Sequence, residues 1–251
     1  MEKTRNFIFR VKGFTKRKLE FFNIYKKLSR KYIQEINRTE YFNPPFNEKN
    51  ERPVEYGFVF AQLSELYPQK ILDVGTGVTA LPHLMANCGL HVTATDNVKD
   101  YWRKDMLNRH FYIINDDITN TKLKDSFDLI TCISTLEHIE NYNQAVNTMF
   151  DLLNPGGHLI LTFPYTEHRF VDNVYILPGS QVGRLLSFKT HSYSRNELEA
   201  WIKKNKAIIV KQEYWQFFTG DTWTVGEQLP IPKKVTKGDL HQISCILFKK
   251  N

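Results

Sequence analysis

The chain has few cysteines and no pair of them at close spacing. Its three cysteines, Cys88, Cys132 and Cys245, lie far apart and form no C-x-x-C motif. This spacing excludes the kind of disulfide framework that holds small secreted domains together. Cys132 and Cys245 stand in apolar, strand-like runs, so we expect buried thiols in a reducing, cytoplasmic environment.

Long apolar runs are also missing. The N-terminus lacks an uninterrupted apolar stretch of signal-peptide length, and no later segment approaches the length of a membrane span. The 251 residues are 41% hydrophobic, which is enough to bury the core of one α/β domain with an appended segment. We therefore predict a cytoplasmic protein, with the membrane surface as the one other location to test.

Acidic charge is scarce at the N-terminal end of the chain. The net charge is +7, but residues 1–52 alone hold 14 Lys and Arg against 6 Asp and Glu, a net charge of +8. The remaining residues hold 20 against 21, a net charge of −1. The basic character therefore belongs to an N-terminal segment and not to the main domain.

The N-terminal segment contains a predicted amphipathic helix from Thr15 to Ile36. Its apolar side chains recur at steps of three and four residues, at Phe21, Tyr25, Leu28, Tyr32 and Ile36, and basic residues flank them. The helix has three interpretations: it lies on an anionic membrane surface, follows a nucleic-acid backbone, or closes over the adjoining site as a lid. Its aromatic content favours a membrane or a lipid-linked glycan over nucleic acid.

The pattern changes to alternating strands and helices after residue 66. Short apolar strands are predicted at residues 70–74, 91–95, 111–114, 127–134, 158–163, 207–214 and 243–249, with helices at 79–87, 141–153 and 195–204. Such alternation predicts an α/β fold with a doubly wound, mostly parallel sheet. A loop joins the last two strands, so we expect at least one of them to run antiparallel.

We divide the chain into a basic helical extension, residues 1–66, and a domain, residues 67–251. The extension includes a second predicted helix, Val54–Leu66. Two stretches of the domain, residues 164–193 and 215–242, show no regular pattern. Loops of this length in a compact domain are usually functional or mobile, so we expect these two to surround the molecule on which the domain acts.

The first strand runs into a helix through a turn that lacks two features of a phosphate site. In ILDVGTGVTALPHLM, Gly75 and Gly77 are present, but Ala80 occupies the third glycine position of a dinucleotide fingerprint. No Lys or Arg occurs between residues 71 and 89. The two glycines let the backbone pass close to a ligand. Asp73 just before them would complement the cationic end of a ligand. The missing third glycine disfavours a nicotinamide-dependent oxidoreductase.

The next two strands also end in acidic residues. Asp96 follows the second strand, where a carboxylate can bind both hydroxyls of a ribose. After the third strand, Asp116 or Asp117 could reach an adenine amino group, and Ile118 could pack on the ring. We favour Asp117 because it directly precedes the apolar Ile118. A cationic amino-acid group, a ribose and an adenine without phosphate together describe S-adenosylmethionine.

Five motifs in order resemble the class I S-adenosylmethionine-dependent methyltransferase family: ILDVGTG (71–77), VTATD (92–96), NDDI (115–118), FDLITCISTLEHI (127–139) and LLNPGGHLILTFP (152–164). The resemblance implies a Rossmann-like, seven-stranded sheet with a reversed last strand. It also implies a cofactor site that consists of Asp73, Gly75, Gly77, Asp96, Asn97, Asp117, Ile118 and Ile133. The chain departs from the family at Thr79, where many members carry glycine; we expect a slightly narrower turn that still binds the cofactor.

The resemblance places the transferred methyl group near residues 133–139. A hydroxyl acceptor must lose its proton to a base, and His138 is the first candidate because imidazole titrates near neutral pH. The alternative is that His138 packs against a loop or orients it. His191, in the sequence KTHSYS, is the second candidate for a catalytic residue.

A metal-assisted reaction is a further alternative. Some relatives, among them small-RNA 2′-O-methyltransferases, bind a divalent ion through E-x-x-E-H and a later histidine. Here Ser134 stands at the position of the first glutamate. Glu137 and His138 could still gather an ion with one histidine of the long loop, His168 or His191. We predict a site without a metal ion.

We predict O-methylation of a small-molecule, sugar or lipid-linked glycan acceptor by in-line displacement. Aromatic and polar residues of the two long stretches are expected around the acceptor: Tyr165, His168, Arg169, Tyr175, His191, Tyr193, Trp215 and Trp223. Two alternatives stay open. One is an RNA methyltransferase that uses the basic N-terminal helix, and the other is a non-catalytic scaffold that retains the fold.

Overall fold

The computed structural model describes residues 23–39, 41–42, 50–102, 106–181 and 188–251. The chain forms two compact units, residues 1–51 and 52–251. Residues 23–39 of the first unit are helical, in agreement with the predicted N-terminal helix, whose residues 15–22 lie outside the described part. No helix among the described residues combines the length and the apolar character that a membrane span needs.

The second unit alternates helices and strands. Its helices are α1 (Arg52–Leu66), α2 (Leu81–Asn87), α3 (Val98–Tyr101), α4 (Tyr142–Leu152) and α5 (Arg195–Asn205). Its strands are β1 (Lys70–Val74), β2 (His91–Asp96), β3 (Ile114–Asn115), β4 (Phe127–Ile133), β5 (Leu153–Pro164), β6 (Ala207–Phe218), β7 (Gln228–Val235) and β8 (Ile243–Lys250). Short 3₁₀ turns occur at Ile118–Asn120, Leu136–His138 and Val174–Ile176.

The strands form one sheet in the order β3-β2-β1-β4-β5-β8-β6-β7. Neighbouring strands from β3 to β5 pair in parallel, which confirms the prediction from the alternating pattern. β8 pairs antiparallel with both β5 and β6, so the reversed last strand is present as expected. The architecture is therefore a doubly wound, Rossmann-like α/β fold.

The sheet has one strand more than the sequence predicted. β7 lies in the stretch 215–242, which we expected to be irregular, and it pairs antiparallel with β6 at the edge of the sheet. Pro230 and Pro232 obscure its strand pattern, because proline cannot donate to a ladder and is tolerated mainly in edge strands. β6 also extends to Phe218, beyond its predicted end at Tyr214. Much of the expected loop is thus a hairpin.

Helices cover both faces of the sheet. The buried cluster on the face of α4 and α5 includes Met149, Ile130 and Cys132. The cluster on the face of α1 and α2 includes Phe58 and Cys245. Both thiols are completely buried, which confirms the expectation drawn from their apolar surroundings in the sequence.

α1 belongs to the second unit and not to the N-terminal extension. Its side chains Phe58, Val59 and Leu63 are buried in the cluster on the sheet. The compact unit therefore begins at Arg52, whereas the boundary predicted from the sequence followed residue 66. The difference arises because contacts with strands far along the chain hold this helix, and its own sequence does not reveal them.

Parallel pairing brings the carboxyl ends of β1 to β5 to one edge of the sheet. This edge carries the glycine turn after β1, Asp96 at the end of β2, and residues 134–138 after β4. Ligand sites of open α/β sheets lie at this edge, close to the point where the strand order reverses. The fold thus assembles most of the residues that the motifs predicted for a site.

Candidate active site

The two glycines of the turn after β1 serve different purposes. Both have left-handed backbone conformations, with φ of 72° at Gly75 and 56° at Gly77. A Cβ atom at Gly75 would lie 2.7 Å from the Cβ of Thr135. At Gly77, no heavy atom of the described residues lies within 4 Å of that position. Gly75 therefore makes room for Thr135, and Gly77 alone leaves open space for a ligand.

Asn108 holds the glycine turn from outside the motif. Its amide nitrogen donates to the carbonyl oxygens of Gly77 at 2.8 Å and Thr79 at 2.9 Å. Its amide oxygen accepts from the N–H groups of His110 and Phe111, both at 2.9 Å. All four bonds satisfy a side chain that is only 8% exposed. No motif in the sequence pointed to Asn108.

Thr79, the departure from the family pattern, fits into the turn. Its hydroxyl donates to the carbonyl oxygen of Thr76 at 2.9 Å. The side chain is therefore used inside the turn, while the open position at Gly77 is unaffected. The geometry agrees with the expectation that threonine at this position is tolerated.

Asp73 lies beneath the turn and is 2% exposed. Its two carboxylate oxygens accept hydrogen bonds from the hydroxyls of Thr131 at 2.6 Å and Thr76 at 2.7 Å. Burial raises the pKa of Asp73 to about 6, and the two hydroxyls together with the positive charge of Arg52 oppose the shift. The sequence predicted a carboxylate that faces a cation; the structure shows one whose oxygens are both held by threonines.

Asp96 points towards the glycine turn. Its Oδ2 accepts a hydrogen bond from the N–H of Gly77 at 2.6 Å. Burial raises the pKa of Asp96, and hydrogen bonds from Gly77, Trp102 and Asn97 oppose the shift. Asn97 follows directly and precedes α3, where its side chain makes no capping hydrogen bond. A carboxylate at this position is within reach of a ligand that lies over Gly77.

The two aspartates after β3 are not equivalent. Asp116 is 8% exposed and accepts hydrogen bonds from the hydroxyl of Thr121 and from the N–H of Lys122. Asp117 accepts two bonds from Thr119, and both use Oδ1. Oδ2 of Asp117 takes part in neither bond, and the choice of Asp117 over Asp116 as the ligand stays a prediction.

Ile118 follows these aspartates at the start of a 3₁₀ turn. The side chain is 6% exposed and belongs to the buried cluster that contains Leu72 and Val74. The sequence predicted that it would pack on an adenine ring. Most of its surface is part of the core, and the contact with an adenine ring stays a prediction.

Residues 133–135 connect β4 to the glycine turn. Ile133, the last residue of β4, is 6% exposed. The hydroxyl of Thr135 donates to the carbonyl oxygen of Gly75 at 3.0 Å. Ser134 between them has φ of 44°, a left-handed conformation that non-glycine residues seldom adopt. The end of β4 is therefore built tightly against the turn after β1.

His138 is held as a neutral ring with a defined tautomer. Its Nδ1 lies 2.9 Å from the carbonyl oxygen of Lys189. A carbonyl can only accept a hydrogen bond, so Nδ1 carries the proton and Nε2 carries a lone pair. Burial lowers the pKa of His138, the hydrogen bond to the carbonyl oxygen of Lys189 opposes this shift, and the positive charge of Arg52 adds to it. The ring can therefore accept a proton through Nε2 at neutral pH.

His191, the second predicted catalytic residue, lies in the core. The side chain is 2% exposed, and its Nδ1 lies 2.7 Å from the carbonyl oxygen of Asp172. The ring packs against Tyr142, Phe170 and Tyr193, with centroid distances of 5.4, 5.5 and 6.1 Å. These contacts account for the position of His191 without any catalytic role. Its burial also disfavours the prediction that His191 is catalytic.

A metal-binding arrangement does not form in the part of the chain that the structure describes. No group of three or more His, Cys, Asp or Glu side chains there could hold an ion. The alternative metal set of the sequence analysis, Glu137 and His138 with His168 or His191, lies within the described part and is therefore not assembled.

Two charged residues of α1 reach the same edge of the sheet. Glu55 is completely buried and accepts hydrogen bonds from the hydroxyls of Ser134 at 2.5 Å and Thr162 at 2.6 Å. Nη1 of Arg52 donates to the other oxygen of Glu55 at 2.9 Å and to the carbonyl oxygen of Ile133 at 3.4 Å. Neither residue was predicted from the sequence, because their only local signal is an Arg–Glu pair three residues apart on a helix.

A cleft of about 980 Å³ lies farther along the same edge, after β5 and before β8. Both stretches that were expected to surround the acceptor contribute to its lining, through residues 166–169 and 237–241. In its wall, Glu167 accepts hydrogen bonds from Arg195 and from the hydroxyl of Tyr165, both at 2.9 Å. Trp215 and Trp223 do not line the cleft; they pack against the buried cluster on the face of α1 and α2. The volume suits a small organic ligand.

The residues around the glycine turn fit S-adenosylmethionine better than a phosphate ligand. The open cradle at Gly77 is flanked by the carboxylates of Asp73 and Asp96, whose negative charges oppose a phosphate. The ligand's amino-acid end carries both an ammonium and a carboxylate. Arg52 supplies a positive charge close enough to lower the pKa of both Asp73 and His138.

Comparison with known proteins agrees with this fit. A family profile described as a methyltransferase domain matches residues 26–222. The ubiquinone biosynthesis O-methyltransferase of Xanthomonas oryzae pv. oryzae is 31% identical over 163 residues, which cover 60% of this chain and 67% of the relative. The crystal structure of the N-methyltransferase NodS from Bradyrhizobium japonicum, in complex with S-adenosyl-L-homocysteine, superposes with a TM-score of 0.52 at 16% identity, over 87% of this chain and 97% of NodS.

A further solved structure, TehB from Haemophilus influenzae, also has a TM-score of 0.52, at 15% identity, over 84% of this chain and 66% of TehB. At such identities the structural likeness shows the fold alone. The family rests on the profile match, which spans more than half of the chain, and on the Xanthomonas relative. The chain belongs to the class I S-adenosylmethionine-dependent methyltransferase family, and it is a methyltransferase with S-adenosyl-L-methionine as its cofactor.

Proposed function

We propose that the protein methylates a hydroxyl group of a small molecule. The observation that carries this proposal is the state of His138, a neutral ring whose Nε2 can take the proton of the acceptor. The Xanthomonas relative is named an O-methyltransferase, which supports an oxygen acceptor. A sugar or a lipid-linked glycan remains within this class of acceptors.

We assign the cofactor site to the residues that the motifs predicted: Asp73, Gly75, Gly77, Asp96, Asn97, Asp117, Ile118 and Ile133. Bound S-adenosylmethionine supplies an electrophilic methyl group on a positively charged sulfur. Gly77 gives the ligand room, and Asp96 offers a carboxylate beside it. Asp73 acts from below, by its charge and by its bonds to the threonines of the turn and of β4. Arg52 adds a cation for the carboxylate of the cofactor.

His138 serves as the general base, and His191 has a packing role. Nδ1–H of His138 donates to Lys189, which orients the ring and leaves Nε2 to accept the proton of the hydroxyl group. We place the acceptor between this base and the cleft of about 980 Å³. The cleft lies at the ends of β5, β8 and β6, two to four strands from β1, which corresponds to roughly 10–20 Å. An acceptor that also occupies the cleft is therefore an extended molecule.

A methyl-transfer assay with radiolabelled cofactor tests the proposed function. Cell extract is separated into small-molecule, lipid, polysaccharide and RNA pools, and each pool is offered to the protein. We expect label in the small-molecule, lipid or polysaccharide pool with wild type. Asp96→Ala should abolish both labelling and binding of S-adenosylhomocysteine, whereas His138→Gln should abolish labelling and retain binding. Label in RNA alone would favour an RNA methyltransferase, and binding without label in any pool would favour the scaffold.

We also propose that the N-terminal helix binds an anionic membrane surface. Its apolar residues Tyr25, Leu28 and Tyr32 share one face and are 62%, 62% and 65% exposed. The described part of the helix carries five basic residues against one acidic residue, and Lys27 and Arg30 lie on the other face. An exposed apolar face combined with a basic face is typical of helices that lie in the interface of an anionic bilayer.

Vesicle sedimentation tests this second proposal. We expect the full-length protein to sediment with vesicles of phosphatidylcholine and phosphatidylglycerol, and to stay in solution with phosphatidylcholine alone. Replacing Tyr25, Leu28 and Tyr32 by serine should weaken sedimentation about tenfold or more, because each apolar side chain adds to the buried area. Gln34→Ala on the polar face is the matched control. Equal binding by the triple variant would refute the proposal, and RNA binding that the triple variant retains would favour nucleic acid.

A further inference from the structure

We infer that Glu55 is a positioning residue of the methyl-transfer site: its buried carboxylate holds Ser134 in a left-handed conformation and thereby fixes residues 134–138. The inference rests on the proposed function only for the identity of the site that Glu55 supports. Glu55 belongs to none of the five motifs, and it comes from α1, which the sequence analysis assigned to the extension.

Both carboxylate oxygens of Glu55 accept hydrogen bonds from other side chains of the protein. It lies in the first turn of α1 and is 0% exposed. Oε1 accepts hydrogen bonds from Ser134 at 2.5 Å and Thr162 at 2.6 Å, and Oε2 accepts one from Arg52 at 2.9 Å. A buried carboxylate needs such donors to offset the loss of water. One side chain thus joins α1, β5 and the residue after β4.

Ser134 is the strained member of this group. Its φ of 44° lies in the region that favours glycine, because a Cβ atom there crowds the backbone. Two sets of hydrogen bonds hold the backbone of Ser134 in this conformation. The N–H of Ser134 donates to the carbonyl oxygen and the hydroxyl of Thr162, both at 3.1 Å, and the hydroxyl of Ser134 donates to Glu55.

The conformation of Ser134 affects both the glycine turn and His138. Thr135, the next residue, donates to the carbonyl oxygen of Gly75 at 3.0 Å and fills the space that a Cβ at Gly75 would need. The carbonyl oxygen of Thr135 accepts from the N–H of His138 at 3.0 Å. If Ser134 relaxed, Thr135 would shift against the glycine turn, and the base would shift with it. Glu55 therefore acts through Ser134 on cofactor binding and on the base.

A matched pair of substitutions at Ser134 isolates the backbone effect. Ser134→Ala and Ser134→Gly both remove the hydroxyl, but only alanine keeps the Cβ that disfavours the left-handed conformation. We expect alanine to weaken the affinity for S-adenosylhomocysteine about tenfold in calorimetry, and glycine to stay within about threefold of wild type. Hydrogen exchange of residues 133–139 should accelerate in the alanine variant alone. Equal affinities for the two variants would overturn the inference.

Glu55→Gln tests the carboxylate itself, since it keeps the size of the side chain and loses one acceptor group. We expect it to weaken the same affinity about tenfold, and addition of Ser134→Gly to restore it to within about threefold of the Ser134→Gly protein. Normal affinity in Glu55→Gln, or no recovery in the double variant, would overturn the inference. Should Glu55→Gln fail to fold by circular dichroism, the serine pair decides alone. Wild type that does not bind S-adenosylhomocysteine would instead refute the proposed function.

Discussion

The buried carboxylate of Asp73 makes stability depend on pH. Burial raises its pKa in the folded protein from 3.8 to about 6, so the folded state holds the proton more tightly than the unfolded chain. The free energy of unfolding therefore falls as the pH rises from about 4 to about 6, and this contribution is constant above that range. Between about pH 5 and pH 7.5, we expect Asp73 to lower the stability by about 1 kcal/mol.

Asp73→Asn should remove this part of the pH dependence, because the amide does not ionise. Urea denaturation of wild type and variant at the two pH values measures the difference. Asp125→Asn, which changes an exposed carboxylate in the same way, serves as the control. An Asp73→Asn protein with the same pH dependence as wild type would contradict the assigned cause.

The protonation of His138 should govern the rate at acidic pH. Burial and the positive charge of Arg52 lower its pKa below the ordinary value of 6.5, and only the neutral ring can accept a proton. We expect kcat/KM to be constant near neutral pH and to fall as the pH drops through this lowered pKa. The measurement is a pH–rate profile with the acceptor pool that the labelling assay identifies.

His138→Gln should lower kcat by about 10²- to 10⁴-fold, the usual contribution of a general base, and remove the acidic limb of the profile. Its affinity for S-adenosylhomocysteine should stay close to that of wild type. A variant that loses affinity but keeps kcat would instead show that His138 only orients the loop, which is the alternative weighed in the sequence analysis.

The turn between β1 and α2 depends on a side chain from another loop. Asn108 donates to two carbonyl oxygens of the turn, and each such bond is worth roughly 1 kcal/mol. We expect Asn108→Ala to weaken the binding of S-adenosylhomocysteine by about tenfold, measured by calorimetry, because the open position at Gly77 loses its support. Asn108→Asp, with the same size but no donor, should weaken binding at least as much. Normal binding by either variant would show that the turn keeps its shape without the hydrogen bonds from Asn108.

The start of α5 is an example of local structure that neighbouring residues in the sequence determine. Ser194 lies directly before this helix, and its N–H and hydroxyl both donate to Glu197, three residues later, at 2.8 and 2.6 Å. β7 shows the opposite case. Its prolines disfavour a strand, and only its pairing with β6 at the sheet edge makes the strand possible. Caps depend on neighbours in sequence, whereas an edge strand depends on a partner elsewhere in the fold.

The division of the chain into two compact units predicts that cofactor binding and membrane binding depend on different parts of the molecule. Residues 52–251 contain the sheet, both buried clusters and all predicted cofactor residues. A chain that begins at Arg52 should therefore fold and bind S-adenosylhomocysteine with an affinity within about threefold of the full-length protein. At about 100 times the dissociation constant, the ligand should stabilise both proteins by about 2.7 kcal/mol, which a thermal shift assay detects.

The shortened chain should also lose sedimentation with anionic vesicles, because the basic residues and the exposed apolar face lie before Arg52. This outcome separates two interpretations of the N-terminal helix. A lid over the site would make the affinity for S-adenosylhomocysteine fall on truncation, and a membrane-binding helix would not. The full-length protein with the serine triple variant provides the matched control.

The sequence by itself determined the alternation of strands and helices, the turn after β1 and the chemical class of the cofactor. Each of these depends on contiguous residues: apolar runs that form strands, glycines that allow a left-handed turn, and acidic residues at strand ends. The choice of Asp117 over Asp116 also followed from a neighbour, Ile118, and it stays a prediction.

Only the tertiary structure decided which distant side chains lie around the proposed site. Arg52, Glu55 and Asn108 reach it from a helix and a loop that no motif marked. It also decided that His191 is enclosed by aromatic rings, while His138 keeps a lone pair on Nε2. Burial and pairing across the sheet are set by contacts between residues far apart in the chain, and these contacts do not exist until the whole domain has folded.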